Sequence, residues 1–150
     1  MPIMNSSFII SIMALAITVT ASCSNQSSVE DLMAVDRSFS ALSQEKGMNT
    51  AFLEYIASDG IILRANARPF VGKPAVAELL NRNDDTTFSL TWEPLDGMVS
   101  RSGDLGFTYG IYTHNADESK SQGTYVTIWR KGAQGNWKSV FDTGNPGIGD

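Results

Sequence analysis

Two aspartates sit inside predicted elements, Asp142 where an acid is out of character and Asp36 one position off an apolar helical stripe. Asp142 lies between Phe141 and Thr143, in a run from Trp137 to Thr143 that reads as the last strand. Asp36 lies between Val35 and Arg37, inside an apolar helical stretch. A carboxyl group taken out of water resists ionisation, so its pKa rises toward the range useful for acid or base work near neutrality. Each aspartate also has a structural reading. Asp142 would then be a sheet-end acid bonded to backbone or to Arg64, and Asp36 a polar contact at the helix edge. Plain alternation puts Asp142 on one face with Val140 and Lys138, opposite Trp137, Ser139 and Phe141. His114 is the only histidine and can titrate near neutrality. It ends a strand at a polar loop and reads as a surface residue. Asp59 reads as a turn residue and Glu54 as a solvated helix face.

Tyr109, Tyr112, Tyr125, Trp92 and Trp129 form an aromatic wall on strands. Rings facing inward would line a cavity, with tyrosine hydroxyls as donors to a ligand oxygen. Rings facing outward would suit pairing through the sheet, and others are plain core. Tyr109, Tyr125, Trp92 and Trp129, with Arg64, are the candidate ligand-binding residues. Arg64 and Arg130 could clamp an anion or pair with nearby acids. One cysteine and one histidine make a zinc site unexpected. No Gly-rich phosphate loop surrounds Lys73-Pro74, and there is no nucleotide fingerprint or serine elbow. No metal and no cofactor are expected. A net charge of −5, from 11 basic and 16 acidic residues, argues against nucleic acid, which needs a basic surplus.

The elements that must position these residues follow from periodicity. Ser27 and Ser28, with Glu30 or Asp31, look like a helix start. Leu32, Val35, Phe39 and Leu42 recur at helical spacing, and Gly47 is a stop. Asn49 can cap a second helix carrying Phe52, Leu53 and Ile56, so the two should form an antiparallel hairpin. Asp59-Gly60 reads as a turn and Ile61-Ile62-Leu63 as a short strand. Residues 65–71 read as a loop or small hairpin. Gly72-Lys73-Pro74 opens a third helix with Val76, Leu79 and Leu80 inward, and the polar stretch 81–85 ends it. From Thr86 the period becomes two. Phe88, Leu90 and Trp92 alternate, Pro94 and Asp96-Gly97 interrupt, and Met98-Val99 continue after a bend. Leu105 to Thr113, Thr124 to Arg130 and Trp137 to Thr143 are strands, with a polar hairpin loop over 114–122. Gly144-Asn145-Pro146-Gly147 breaks the last one. Helices followed by antiparallel strands mean α+β. A curved sheet with helices across one face encloses a cavity suited to a ligand.

The beginning of the chain reads as an address. Phe8 to Ala21 is uncharged and apolar or hydroxylic, about fourteen residues against the roughly twenty of a membrane span. It ends in Thr20-Ala21-Ser22-Cys23, and polar residues follow. This segment resembles a bacterial lipoprotein signal, which implies cleavage before Cys23 and lipid on its sulfur. It departs from that pattern in having no Lys or Arg before the apolar run and Thr20 where Leu or Val is usual. Ordinary cleavage nearby and an uncleaved anchor are the other readings. The expected organisation is residues 1–22 as signal, 23–28 as tether, 29–147 as the domain and 148–150 as tail. The expected location is the periplasm or outer membrane, with a soluble periplasmic form as the alternative.

Three stretches carry a wider resemblance. They are Asp59-Gly60-Ile61-Ile62-Leu63-Arg64 running to Val71-Gly72-Lys73-Pro74-Ala75-Val76, then Ser102-Gly103-Asp104-Leu105-Gly106-Phe107-Thr108-Tyr109-Gly110, then Tyr125 to Lys131 ahead of Trp137-Lys138. In this order they resemble the nuclear-transport-factor-2-like superfamily, in its domain-of-unknown-function branch beside the polyketide-cyclase-like (SnoaL-like) proteins. The resemblance implies a cone: a strongly curved antiparallel sheet wrapped around three helices, often dimerising through the sheet. Its enzymes include ketosteroid isomerases, dehydratases, epoxide hydrolases and cyclases, and many members bind ligands or have no known activity. Fold therefore does not fix function. Three expectations stand: an envelope-located, lipid-anchored domain binding a small, partly apolar ligand; a cofactor-free isomerase, dehydratase or hydrolase using Asp142 or Asp36; and an interaction domain whose exposed sheet pairs with itself, as a homodimer, or with a larger envelope partner.

Overall fold

The computed structural model describes residues 28–149. The expected signal, Cys23 and all but the last residue of the tether lie outside the described residues. The chain runs α1 (Val29–Lys46), α2 (Met48–Tyr55), β1 (Ile56–Ile62), β2 (Phe70–Val71), α3 (Lys73–Leu80), β3 (Phe88–Val99), β4 (Leu105–Ala116), β5 (Ser119–Lys131) and β6 (Trp137–Pro146). The six strands form one sheet in the order β2-β1-β6-β5-β4-β3. All neighbours are antiparallel except β1 and β6. The sheet is therefore mixed, because β1 returns beside β6 only after the rest of the chain has intervened. The α+β cone expected from the sequence is the observed architecture.

Ser28 caps α1 in a capping box with Asp31, and Gly47 ends it at a positive φ of 87°, open to glycine without a steric penalty. Gly47 alone joins α1 to α2. Asn49 does not cap α2. Its backbone N–H donates to Asp85 Oδ2 at 2.7 Å, so an acid from the loop after α3 serves the helix start, where negative charge is favoured.

Three loop expectations are corrected by the sheet. Asp59-Gly60 is no turn; it lies within β1, across an irregularity in the pairing with β6. Asp59 is held there by Arg130, which donates to both its carboxylate oxygens at 3.1 and 2.6 Å. The polar run 114–122 is mostly strand. β4 and β5 pair as far as Ala116 and Ser119, leaving a two-residue turn with Asp117 at φ 49°, a region aspartate tolerates. Polarity there reflects strands extending past the core, not a loop. Likewise β6 continues through Gly144 to Pro146. The Pro94–Asp96 interruption is a bulge inside β3. β3 is an edge strand, where proline and bulges are tolerated.

The core lies between the helices and the inner sheet face. Phe39 sits at its centre. Its ring centroid is 4.9 Å from that of Phe52, 4.7 Å from Tyr55 and 4.6 Å from Trp92.

Candidate functional site

The face each side chain takes is decided by strand parity. β5 turns Tyr125, Thr127 and Trp129 toward the helices, opposite Gly144, Asp142 and Ser139 of β6. Trp129 pairs with Ser139 but Ile128 with Phe141, so Val140 is an extra residue in β6. This bulge reverses the alternation. Asp142 consequently shares the inner face with Trp137 and Ser139, all three buried. The expected grouping with Val140 and Lys138 is overturned by that one residue.

A cavity of about 210 Å³ lies against this face. Its apolar lining comes from Met48, Phe52, Leu90, Trp92 and Tyr112, and its polar lining from Arg64, Tyr125, Thr127, Asp142 and Thr143. Asp142 is 7% exposed. Its Oδ1 accepts from Arg64 Nη1 at 3.2 Å and its Oδ2 from the Thr127 hydroxyl at 3.0 Å. Burial pushes its pKa above the ordinary carboxylate value. The Arg64 charge and the two hydrogen bonds oppose that rise.

Asp36 does not line the cavity. It is fully buried in α1, behind the wall formed by Trp92 and Tyr125. Its Oδ1 accepts from Trp92 Nε1 at 2.7 Å and its Oδ2 from the Tyr125 hydroxyl at 2.8 Å. Trp129 Nε1 donates to Thr108 Oγ1 at 2.8 Å, which leaves the Thr108 proton for Asp36. Burial raises the Asp36 pKa, the three donors oppose that, and the Asp142 charge adds to the rise. The Tyr125 hydroxyl is held well above the usual tyrosine range by burial and by Asp36. It therefore stays protonated and donating.

Of the sequence candidates, Asp142, Arg64, Trp92 and Tyr125 meet at one cavity. Trp129 does not reach it. It is fully buried in the core, edge-on to Phe39 and Tyr55. Tyr109 is on the opposite face of the sheet and 44% exposed, because β4 turns Thr108, Gly110 and Tyr112 inward. Arg130 is outside with Asp59. His114 lies in β4, stacked on Phe88 with centroids 4.9 Å apart.

Met48, Phe52, Leu90, Tyr112, Thr127, Thr143 and Gly144 complete the lining without having been singled out as ligand residues. Tyr112 had a legible signal. It pairs opposite Gly123, where a Cβ would lie 2.4 Å from the tyrosine ring, and a Cβ on Gly144 would lie 3.3 Å from it. Glycines inside strands mark places where another group comes close, and here the group is a cavity-lining ring.

No protein-family profile and no curated protein sequence matches this chain. Solved structures do. A ketosteroid isomerase-like protein from Erwinia carotovora atroseptica superposes with a TM-score of 0.63 at 16% identity, covering 78% of this chain and 95% of that one. A domain of unknown function with a cystatin-like fold from Nostoc punctiforme gives 0.66 at 14% identity, covering 82% and 81%. An NTF-2-like protein of unknown function from Shewanella oneidensis gives 0.63 at 12% identity, covering 77% and 97%. Identities this low carry the fold and nothing finer, and the chain has the nuclear-transport-factor-2-like, cystatin-like fold.

Proposed function

We propose that this protein binds a small, partly apolar molecule in the cone, and that it does so at the bacterial envelope, anchored by lipid on Cys23. The observation that carries the reading is the cavity itself. Apolar side chains make up one part of its lining, and Asp142, Arg64 and Thr127 form a hydrogen-bonded polar group in another. Such a combination suits a ligand with one polar end. A cavity of roughly 150 Å³ holds benzene, so this one has room for a ring with a substituent. Native mass spectrometry of the full-length protein tests the reading. Extra mass that disappears on denaturation is expected from the wild type. It should be lost in Asp142→Asn, with the melting temperature changed by only about a few degrees, as for a substitution that keeps shape and hydrogen bonding. An Asp142→Asn protein that merely unfolds would mark the residue as structural. The envelope anchor rests on the Cys23 motif, and Cys23→Ser should move the protein out of the membrane fraction.

A catalytic reading is favoured by one observation, the raised pKa of a carboxyl group in the cavity wall. Asp142 would then take a proton from a bound carbon or oxygen acid, with Arg64 holding the resulting charge. That one solved structure of this fold is described as ketosteroid isomerase-like supports the class without naming a substrate. The binding reading stands first because Asp142 is already paired with Arg64, which stabilises its charged form and makes it a weaker base.

A further inference from the structure

Arg64 is a shared wall of two spaces. Arg64 and Met48 also line an outer cleft of about 670 Å³, whose other walls include Arg82, Asp84, Phe88 and His114. Two side chains of this cleft lie against aromatic rings. The Arg82 guanidinium lies 5.7 Å from the Phe70 ring centroid, and the His114 ring is stacked on Phe88. Asp84, the one carboxylate in the cleft, is turned to its own loop. A single oxygen accepts from the Thr86 backbone at 3.0 Å and from the Thr86 hydroxyl at 2.6 Å. No carboxylate lies within ion-pair distance of Arg82 among the described residues. The Arg64 guanidinium lies 5.9 Å from the Phe52 ring centroid, and its hydrogen bonds to protein use Nη1 alone, to the Leu63 carbonyl and Asp142. Its Nε–Nη2 edge, two parallel N–H donors, is left without a protein partner among the described residues. That edge matches the two oxygens of a planar carboxylate.

We propose that the ligand is an amphipathic organic acid, its apolar body in the inner cavity and its carboxylate at the cleft between Arg64 and Arg82. The inference rests on the cavity being a ligand site and adds the charge and place of the head group. In a chain of net charge −5, these cations would draw an anion to a molecule that otherwise repels it.

The test uses the full-length protein in mild detergent, with empty micelles as blank. Binding of cyclohexanecarboxylate, cyclohexanecarboxamide and cyclohexyl phosphate is followed by saturation-transfer NMR and by fluorescence of Trp92 and its neighbours. The carboxylate should bind roughly tenfold tighter than the amide, as charge-assisted hydrogen bonds to a fork require. Arg82→Gln should shrink that ratio severalfold, and Arg82→Lys should restore part of it. Arg82 is exposed, and an unchanged melting curve would separate lost binding from lost folding. Equal binding of acid and amide, or a ratio untouched by Arg82→Gln, would overturn the proposal and leave the cavity reading intact. Tighter binding of the phosphate would overturn the planar carboxylate match. Binding of none of the three would overturn the cavity reading and this one with it.

Discussion

Asp36 and Asp142 are both pushed toward the neutral form by burial, but only Asp142 meets a cation. Asp36 is neutralised by no partner and relies on three neutral donors. For both, the folded-state pKa lies above the ordinary aspartate value. The folded chain therefore keeps protons that the unfolded chain releases. The stability from each group is complete below the unfolded pKa and is lost as pH rises through the folded value. Asp36→Asn removes this proton linkage and keeps an oxygen for Trp92 and an amide that can donate to the Tyr125 oxygen. Urea denaturation from about pH 4 to about pH 7 should show a smaller loss of stability with rising pH than in the wild type. Slopes that coincide would refute the raised pKa. Asp36→Ala strands the Trp92 indole N–H and the Tyr125 hydroxyl in the interior, at an expected cost of about 3 kcal/mol.

At the scale of elements, α1 does more than bury an apolar stripe. β3 is one of the two edges of the sheet, and unpaired edges need cover. Ser43 Oγ donates to the Leu90 carbonyl at 2.7 Å, the Trp92 N–H donates to Ser40 Oγ at 2.8 Å, and Asp36 receives the Trp92 indole. Ser40→Ala should therefore cost about 1–2 kcal/mol in denaturant titrations. Ser38→Ala should cost almost nothing, because its hydroxyl bonds the Ala34 carbonyl of its own helix on an exposed face. Near-equal effects of the two would count against the edge-cover role. This also explains which parts of the site could be read from sequence. Apolar periodicity found α1, but it ranked Val35 and Leu42 with Leu32 and Phe39. It passed over Asp36, Ser40 and Ser43, which are more buried than those two. Polar residues that bond across elements are invisible to an apolar count. Alternation left open which of Tyr125, Trp92 and Tyr112 face inward, and the strand pairing decides it. Alternation failed on Asp142 because a bulge leaves no mark in the hydrophobic pattern of Ser139-Val140-Phe141. Tyr109 and Trp129 were aromatic candidates by type, and only the paired strands separate inside, outside and core.

For the whole molecule, the outer sheet face carries an apolar surface without a partner in the described chain. Met98, Leu105 and Tyr109 are 57%, 46% and 44% exposed, and the half-buried Phe107, Ile111, Val126 and Ile128 lie between and beside them on neighbouring strands. A homodimer, as the sequence resemblance implies, would cover this face, and a stable interface of standard size takes about 800 Å² from each partner. Tyr109→Glu should place like charges in the centre of that interface and shift the protein to monomer in sedimentation velocity, with its melting curve little changed. A wild type that sediments as a monomer at every concentration would exclude pairing and leave the face for another protein.

The bulge at Val140 has a consequence for the depth of the cone. Without Val140, ordinary alternation would still send Trp137, Ser139 and Asp142 to the same side. The extra residue is therefore not needed to aim the carboxylate. What it adds is bend, since a bulged strand twists more strongly than a regular one. Lining and curvature are thus separable in this chain. A chain lacking Val140 would present the same side chains on a flatter wall, enclosing a shallower space.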